Sequence, residues 1–139
     1  MTTRKGLFAV IAAGMMLTST VALADNLTDA ERILCTSVQA TVCLIDGDCE
    51  SGPPWVWGVP QFIEIDFKTN KLSTTKASNE NRETSFKRHE SADGVIFIQG
   101  LEGGRAFSFA IHEETGQLSA AIARDQITVS VFGACTPAL

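Results

Sequence analysis

The sequence predicts an all-β fold: a small antiparallel meander that forms a barrel or sandwich, contains two disulfides and follows an N-terminal signal helix. Short β-prone segments alternate with turn residues along the chain, which is typical of antiparallel sheets. Four cysteines stand in a chain whose first residues resemble an export signal, and such chains usually form disulfides. One strand–turn–strand pattern also occurs twice. Together these observations predict a small, cross-linked β domain.

Residues 1–24 have the three parts of a secretory signal peptide. Arg4 and Lys5 form the basic start, residues 7–17 the apolar run, and residues 22–24 the Ala-Leu-Ala pattern that signal peptidase requires. The apolar run is too short to anchor the chain in a bilayer. We therefore expect cleavage after this pattern and export, which makes the protein periplasmic or secreted.

The mature chain, residues 25–139, is expected to form a single exported β domain, because its length is close to the commonest domain size. It contains no second apolar stretch of membrane length, so we expect no stable membrane insertion after signal removal. Loss of the two basic signal residues leaves 9 basic and 16 acidic residues, a net charge of −7. This charge argues against nucleic acid as a partner, because binding to phosphates needs positive charge.

Four cysteines allow three disulfide connectivities, which the expected strands can rank. On one strand Cys35 and Cys43 would lie about 26 Å apart at ~3.3 Å per residue, far beyond disulfide reach. A three-residue loop over 45–47, closed by a left-handed glycine, would place Cys43 opposite Cys49. The preferred pairs are therefore Cys43–Cys49 and Cys35–Cys135. Zinc is disfavoured, because the cysteine spacing lacks the close pairs of structural zinc sites.

The remaining elements follow from β-prone runs and the turn residues between them. The expected strands cover residues 33–45, 62–67, 71–75, 84–91, 95–98, 106–111, 117–123 and 126–132. Alternation in the first strand predicts that Cys35 and Cys43 share a face. Residues 25–32 read as a loose tail or one helical turn, and residues 55–58 as a short extended piece after two prolines. Residues 100–104 contain three glycines and are expected to form a flexible connection.

One hairpin pattern occurs twice in the sequence. The segment 65–73 matches the segment 111–119 in four positions, Ile, Thr, Leu and Ser, with Asn70 and Gly116 at equivalent places. Both residue types tolerate positive φ. We therefore expect the same turn, closed by a left-handed residue, in both hairpins.

Four aromatic residues, Trp55, Trp57, Phe107 and Phe109, are the candidate lining of a ligand site. Two residues apart on an extended piece, Trp55 and Trp57 would point the same way and could stack on a flat ligand. They could equally close one end of a barrel as part of its core, which is the simpler interpretation.

No metal, cofactor or catalytic site is predicted. The histidines, His89 and His112, have no ligand spacing and read as exposed strand residues. Asp46, Asp48 and Glu50 alternate, but a cysteine interrupts the series, so a turn within a disulfide loop is favoured over a calcium loop. The sequence also lacks a Gly-x-Ser-x-Gly elbow and a phosphate-binding glycine loop.

The C-terminal residues 129–137, Val-Ser-Val-Phe-Gly-Ala-Cys-Thr-Pro, follow the hairpin at 114–119. This combination resembles small exported proteobacterial β-proteins of unknown function that end in a Phe-Gly-x-Cys strand. The N-terminal cysteine cluster fits the same group. The resemblance implies a periplasmic β domain; it implies no activity and no functional residues.

The sequence favours a non-catalytic binding module for a protein or a cell-envelope component, such as an inhibitor of a cationic hydrolase. The net negative charge supports this prediction. The alternative is a carrier of a small apolar ligand inside a β-barrel, lined by the four aromatic residues. A hydrolytic enzyme is a third alternative, which would need a cleft that brings a histidine close to a carboxylate.

Overall fold

The computed structural model describes residues 26–78 and 80–139, so the predicted signal peptide lies outside the described part. Within these residues nine strands form one antiparallel sheet. They are β1 (Arg32–Leu44), β2 (Cys49–Gly52), β3 (Phe62–Asp66), β4 (Lys71–Thr74), β5 (Glu83–Ala92), β6 (Val95–Glu102), β7 (Arg105–His112), β8 (Gln117–Arg124) and β9 (Ile127–Pro137). Two short 3₁₀ turns cover Pro54–Trp57 and Lys76–Ser78. No helix among the described residues is long and apolar enough to cross a membrane.

Eight of the strands close into a barrel. From β3 to β9 each strand pairs with the next along the chain, and β1 pairs with β3 on one side and β9 on the other. The short strand β2 pairs with the C-terminal part of β1, on the edge whose N-terminal part pairs with β3. The predicted all-β meander is therefore confirmed, and the structure selects the barrel over the sandwich.

Both preferred disulfides are present. Cys35 bonds to Cys135 between the directly paired positions of β1 and β9, with Cα atoms 4.0 Å apart. Cys43 bonds to Cys49 between β1 and β2, across a three-residue loop in which Gly47 has a φ of 93°. Disulfides persist in oxidising compartments, in agreement with the expected export.

A β-bulge in β1 reverses its alternation of inward and outward side chains. The register with β9 shifts between Ser37 and Gln39, and the extra residue, Val38, is 64% exposed. A bulge of one residue exchanges the two faces of a strand. Cys35 consequently points into the barrel whereas Cys43 lies on the outer face, so the prediction of a shared face was wrong.

The repeated hairpin is confirmed, with one difference between its copies. Asn70 and Gly116 have φ angles of 56° and 68°. A Cβ atom at Gly116 would lie 2.1 Å from the carbonyl oxygen of Cys135, whereas Asn70 accommodates its own side chain. The second copy therefore requires glycine for space as well as for its backbone conformation.

Two predicted segments differ from the structure. The expected extended piece at 55–58 is a 3₁₀ turn, because Pro54 provides a helical φ at its start and Gly58, with a φ of 69°, closes its end. The expected flexible connection at 100–104 is mostly strand, and β6 and β7 are joined by a tight two-residue turn of Gly103 and Gly104. The two turn glycines have φ angles of 54° and 76°, which fits a tight hairpin.

One end of the barrel is closed, and we call it the closed end. Hydrogen bonds join its turns: Glu113 N–H donates to Gly94 C=O at 2.9 Å, and Leu27 N–H donates to Glu113 C=O at 2.8 Å. The predicted N-terminal tail thus includes a turn that buries Leu27. The interior here is filled by almost fully buried side chains: Leu27, Ile33, Ile65, Ile98 and Ile111. The opposite end, where the loops at 45–47, 103–104 and 125–126 lie, is the open end.

Candidate functional site

The open end of the barrel contains a cavity of about 270 Å³. Inward-facing side chains of several strands form its apolar wall. They include Val42, Ile63, Leu72, Phe107, Phe109, Leu118, Ala120, Ile122, Val129 and Val131. Ligand pockets are usually concave and mostly apolar, with a few placed polar groups. This cavity has that composition.

Small residues at inward positions leave this space unfilled. Gly100 on β6 is directly paired with Phe107 on β7. A Cβ atom at Gly100 would lie 2.3 Å from the tip of the Phe107 ring, so the ring occupies the space that a side chain at Gly100 would need. Phe109 follows with its ring centre 5.4 Å from that of Phe107. On the neighbouring strand Ala120 occupies an inward position with a single methyl group. A larger residue at Ala120 would extend into the cavity.

The 3₁₀ turn Pro54–Trp57 and the residues after it cover one side of the cavity mouth. The Trp57 ring contacts β2 near Gly52 and lines the cavity. The buried Ser37 fixes the following segment to β1, because its hydroxyl donates to Pro60 C=O. Ser37, beside the bulge in β1, thus holds the segment that covers the cavity mouth.

Arg82 is tied to its surroundings at the mouth. Its Nη2 lies 2.7 Å from Oε2 of Glu102, and its Nε donates to the other carboxylate oxygen at 3.3 Å. Its Nη1 donates to Gly58 C=O at 3.1 Å and lies 3.3 Å from Oε2 of Glu80. Desolvation lowers the pKa of Arg82, but the hydrogen bonds and charges of the two glutamates outweigh it and raise that pKa. Arg82 is therefore a charged cross-link between the cover and β6.

Two further arginines line the mouth without an ion pair among the described residues. Arg105 is half-buried at the start of β7, and its Nε is fully buried with no hydrogen-bond partner in the described part of the chain. Arg124 ends β8 and faces the same cavity. Glu102 pairs with Arg105 in the strand register, but both of its carboxylate oxygens contact Arg82.

The structure brings together three of the four predicted aromatic residues. Trp57, Phe107 and Phe109 line the cavity, whereas Trp55 is 58% exposed and lies outside it. The expectation that both tryptophans point the same way was wrong, because residues two apart on a 3₁₀ turn lie on different sides. Whether the three lining residues contact a ligand stays a prediction.

The other candidate residues lie elsewhere. His89 packs on Phe67 and Phe86, with its Nδ1 3.1 Å from the side-chain oxygen of Asn70. Asp46 accepts a hydrogen bond from the Asp48 backbone within the disulfide loop, as expected for a turn. Within residues 26–78 and 80–139 no three potential ligands cluster around a metal position.

The sequence interpretation missed the arginines at the mouth. Their positions continue the inward alternation of β7 and β8: Arg105 precedes Phe107 and Phe109, and Arg124 follows Ala120 and Ile122. A period of two along each strand would have placed both guanidinium groups on the aromatic face. The alternation of inward and outward residues in these two strands was therefore the pattern from which the arginines could have been predicted.

No protein-family model, curated protein or solved structure is significantly similar to the chain. The cavity is therefore the feature of the molecule that indicates a function. An apolar chamber with guanidinium groups at its entrance can hold a small apolar molecule and orient a polar end of that molecule toward solvent.

Proposed function

We propose that the protein is a periplasmic binding protein that holds a small, largely apolar molecule in the cavity at the open end. The observation that supports this proposal is the apolar cavity of about 270 Å³ in a barrel whose other end is filled. Protein interiors are normally packed without voids larger than a water molecule. The interior of the barrel at the open end is thus not filled by side chains, in contrast to the closed end.

Burial of hydrocarbon would provide the affinity. Each methylene group removed from water contributes ~0.8 kcal/mol, which corresponds to about a fourfold change in Kd. A homologous series of neutral probes should thus bind progressively more tightly until the cavity is full. A surface patch without enclosed volume would show no such limit.

The first test is a calorimetric titration with straight-chain alcohols from hexanol to dodecanol. We expect Kd to fall about fourfold per added methylene and then to level off. Native mass spectrometry of protein purified from the periplasm would show whether a molecule of the cell occupies the cavity. Absence of binding across the whole alcohol series would contradict the proposal.

A matched pair of variants identifies the site. Ala120→Leu introduces a larger side chain into the cavity, whereas Ala121→Leu makes the same change at the next, outward-facing residue of β8. We expect Ala120→Leu to weaken decanol binding at least tenfold and Ala121→Leu to leave it unchanged. Urea unfolding of both variants checks that each is folded. Equal binding by the two variants would place the probe elsewhere.

A protein or envelope partner is the second candidate. Its supporting observation is the exposure of Phe97, Leu101 and Phe132 on the outer face of the barrel. Across the strands from Phe97 on β6 to Phe132 on β9, the paired residues between them are the small, uncharged Ala110 and Ser119. A partner on this outer face should bind Ala120→Leu as it binds the wild type, which separates the two candidates.

A further inference from the structure

We propose that the bound molecule is an anionic amphiphile, a medium-chain carboxylate, whose acidic group lies between Arg105 and Arg124. This inference rests on the proposed function, because it specifies the ligand of the same cavity. Three features of the mouth support it: its charge, the relation of the two arginines across the sheet, and the fit of a guanidinium to a carboxylate.

The mouth concentrates positive charge in an acidic protein. Arg82, Arg105 and Arg124 line one cavity, although the mature chain has only nine basic residues and a net charge of −7. Glu102 is the acidic residue of the lining, and it is bound by Arg82. The charges of the other two guanidinium groups are thus available to an anion.

The two arginines face each other across neighbouring strands. The register pairs Ala106 with Ala123, so the next pair toward the mouth is Arg105 opposite Arg124. Like charges at directly opposite positions of an antiparallel pair repel each other. An anion placed between the two guanidinium groups would replace this repulsion with two attractions.

Arg105 also has a donor that the described residues leave unsatisfied. Its Nε is fully buried, without a hydrogen-bond partner in the part of the chain that the structure describes. Because this Nε has no surface open to the cavity, a carboxylate would bind the two terminal nitrogens of the guanidinium instead. Their parallel N–H groups fit the two oxygens of a carboxylate.

The same strand that presents Arg105 at the mouth presents the aromatic rings within the cavity. From Arg105 to Phe109 the distance along β7 is about 13 Å, at ~3.3 Å per residue. An acid group at Arg105 would therefore extend its hydrocarbon chain along Phe107 toward Phe109. Glu102 at the same mouth disfavours further negative charge on the ligand, so the inference is a singly charged acid.

The test compares probes that share one chain length and differ in their head group. Decanoate, decanol and decyltrimethylammonium are titrated into the wild-type protein by calorimetry in low-salt buffer at pH 7.5. We expect decanoate to bind at least tenfold more tightly than decanol, and the cation more weakly than both. Raising the salt concentration should reduce only the advantage of decanoate, because salt screens charge interactions.

Three variants locate the head group. Arg105→Gln and Arg124→Gln should each remove most of the preference for decanoate while decanol binding persists. Arg88→Gln is the matched control, since Arg88 lies on β5 in an exposed ion pair with Glu90, away from the cavity lining. It should bind both probes as the wild type does. Urea unfolding confirms folding, and we expect no loss of stability in Arg105→Gln because it removes one of two like charges at opposite strand positions.

The possible failures are distinguishable. Decanol binding equal to decanoate binding, unchanged in Arg105→Gln, would overturn the anionic ligand and leave the apolar cavity function intact. Lack of binding by every probe would overturn the cavity function itself. A decanoate preference that persists in both Arg105→Gln and Arg124→Gln but disappears in Arg88→Gln would place the anion site on β5 and contradict the inference.

Discussion

The two ends of this barrel use the same strands for different purposes. At the closed end the inward positions are occupied by branched aliphatic side chains, such as Ile65, Ile98 and Ile111, which are fully buried. At the open end Ala120 stands at an inward position, and Gly100 leaves room for the Phe107 ring to lie against the sheet. The sheet is continuous between the two ends. Side-chain size at the inward positions therefore determines where this barrel is filled and where it is hollow.

The two ends also differ in the polar groups that connect their loops. Backbone hydrogen bonds between turns seal the closed end, as from Glu113 to Gly94. At the open end the side chain of Arg82 connects Gly58, in the segment that covers the cavity mouth, to Glu102 at the end of β6. Tightly packed apolar side chains are thus concentrated at one end, and ion pairs of charged side chains at the other.

The largest expected effect comes from removing the buried disulfide. Cys35–Cys135 closes a loop with a sequence separation of 100 residues, whereas Cys43–Cys49 on the outer face has a separation of 6. The chain-entropy model gives ~4.7 kcal/mol for the long loop and about 2 kcal/mol for the short one. We therefore expect the Cys35→Ala, Cys135→Ala double variant to lose more unfolding free energy in urea than the Cys43→Ala, Cys49→Ala variant. Equal losses would contradict the assignment of stability to the buried cross-link.

The second prediction compares one isoleucine from each end. Ile98→Ala removes a fully buried side chain from the filled interior and should cost about 4 kcal/mol of unfolding free energy. Ile122→Ala shortens a half-buried side chain that already borders the cavity. It should cost about 1–2 kcal/mol, because less apolar surface is buried there.

Urea unfolding and decanol titration on both variants complete this comparison. Ile98→Ala should bind decanol normally as long as it is folded, whereas Ile122→Ala should change the affinity or the chain length that the cavity prefers. If both variants lost the same stability and kept the same binding, the two ends would not differ as described.

Much of the fold could be predicted from the sequence, because it depends on local patterns. Alternating β-prone runs and turn residues gave the strands, and the loop closed by Gly47 gave the short disulfide, which left Cys35 and Cys135 to pair. The positive φ of Asn70 and Gly116 was predicted from their equivalent places in two similar segments. Each of these features requires information from a few neighbouring residues.

The remaining features depend on contacts between distant residues. The bulge at Val38 lies where Gly133 of β9 approaches β1 so closely that a Cβ would be 2.1 Å from Thr36 C=O. No pattern within β1 indicates it. Likewise, Arg105 and Arg124 belong to one site only through the register of β7 and β8. The cavity itself depends on which inward residues of distant strands meet. The sequence could therefore indicate aromatic residues as candidate lining, but it could not indicate the open space beside them.

The smallest expected effect concerns a surface turn at the closed end. Asp66 at the end of β3 accepts a hydrogen bond from the Thr69 backbone N–H at 2.9 Å. This backbone hydrogen bond is the main reason that the pKa of Asp66 is lowered from its ordinary value of 3.8, and the charge of Arg32 acts in the same direction. A carboxylate whose pKa is lower in the folded state stabilises the fold above its ordinary pKa, and this contribution is lost as the pH falls through the folded-state value.

Asp66→Asn keeps an acceptor oxygen for Thr69 but removes the titration. We expect the variant to be slightly less stable than the wild type at pH 7, and the difference to shrink as urea unfolding is repeated at pH values decreasing to about 3. Asp93→Asn is the control, since the Asp93 side chain makes no hydrogen bond within residues 26–78 and 80–139 and lies in a different turn of the closed end. A difference that stays constant with pH would contradict the role of the carboxylate. Decanol binding should be unchanged in both variants, because this end of the barrel is filled and the cavity opens at the other.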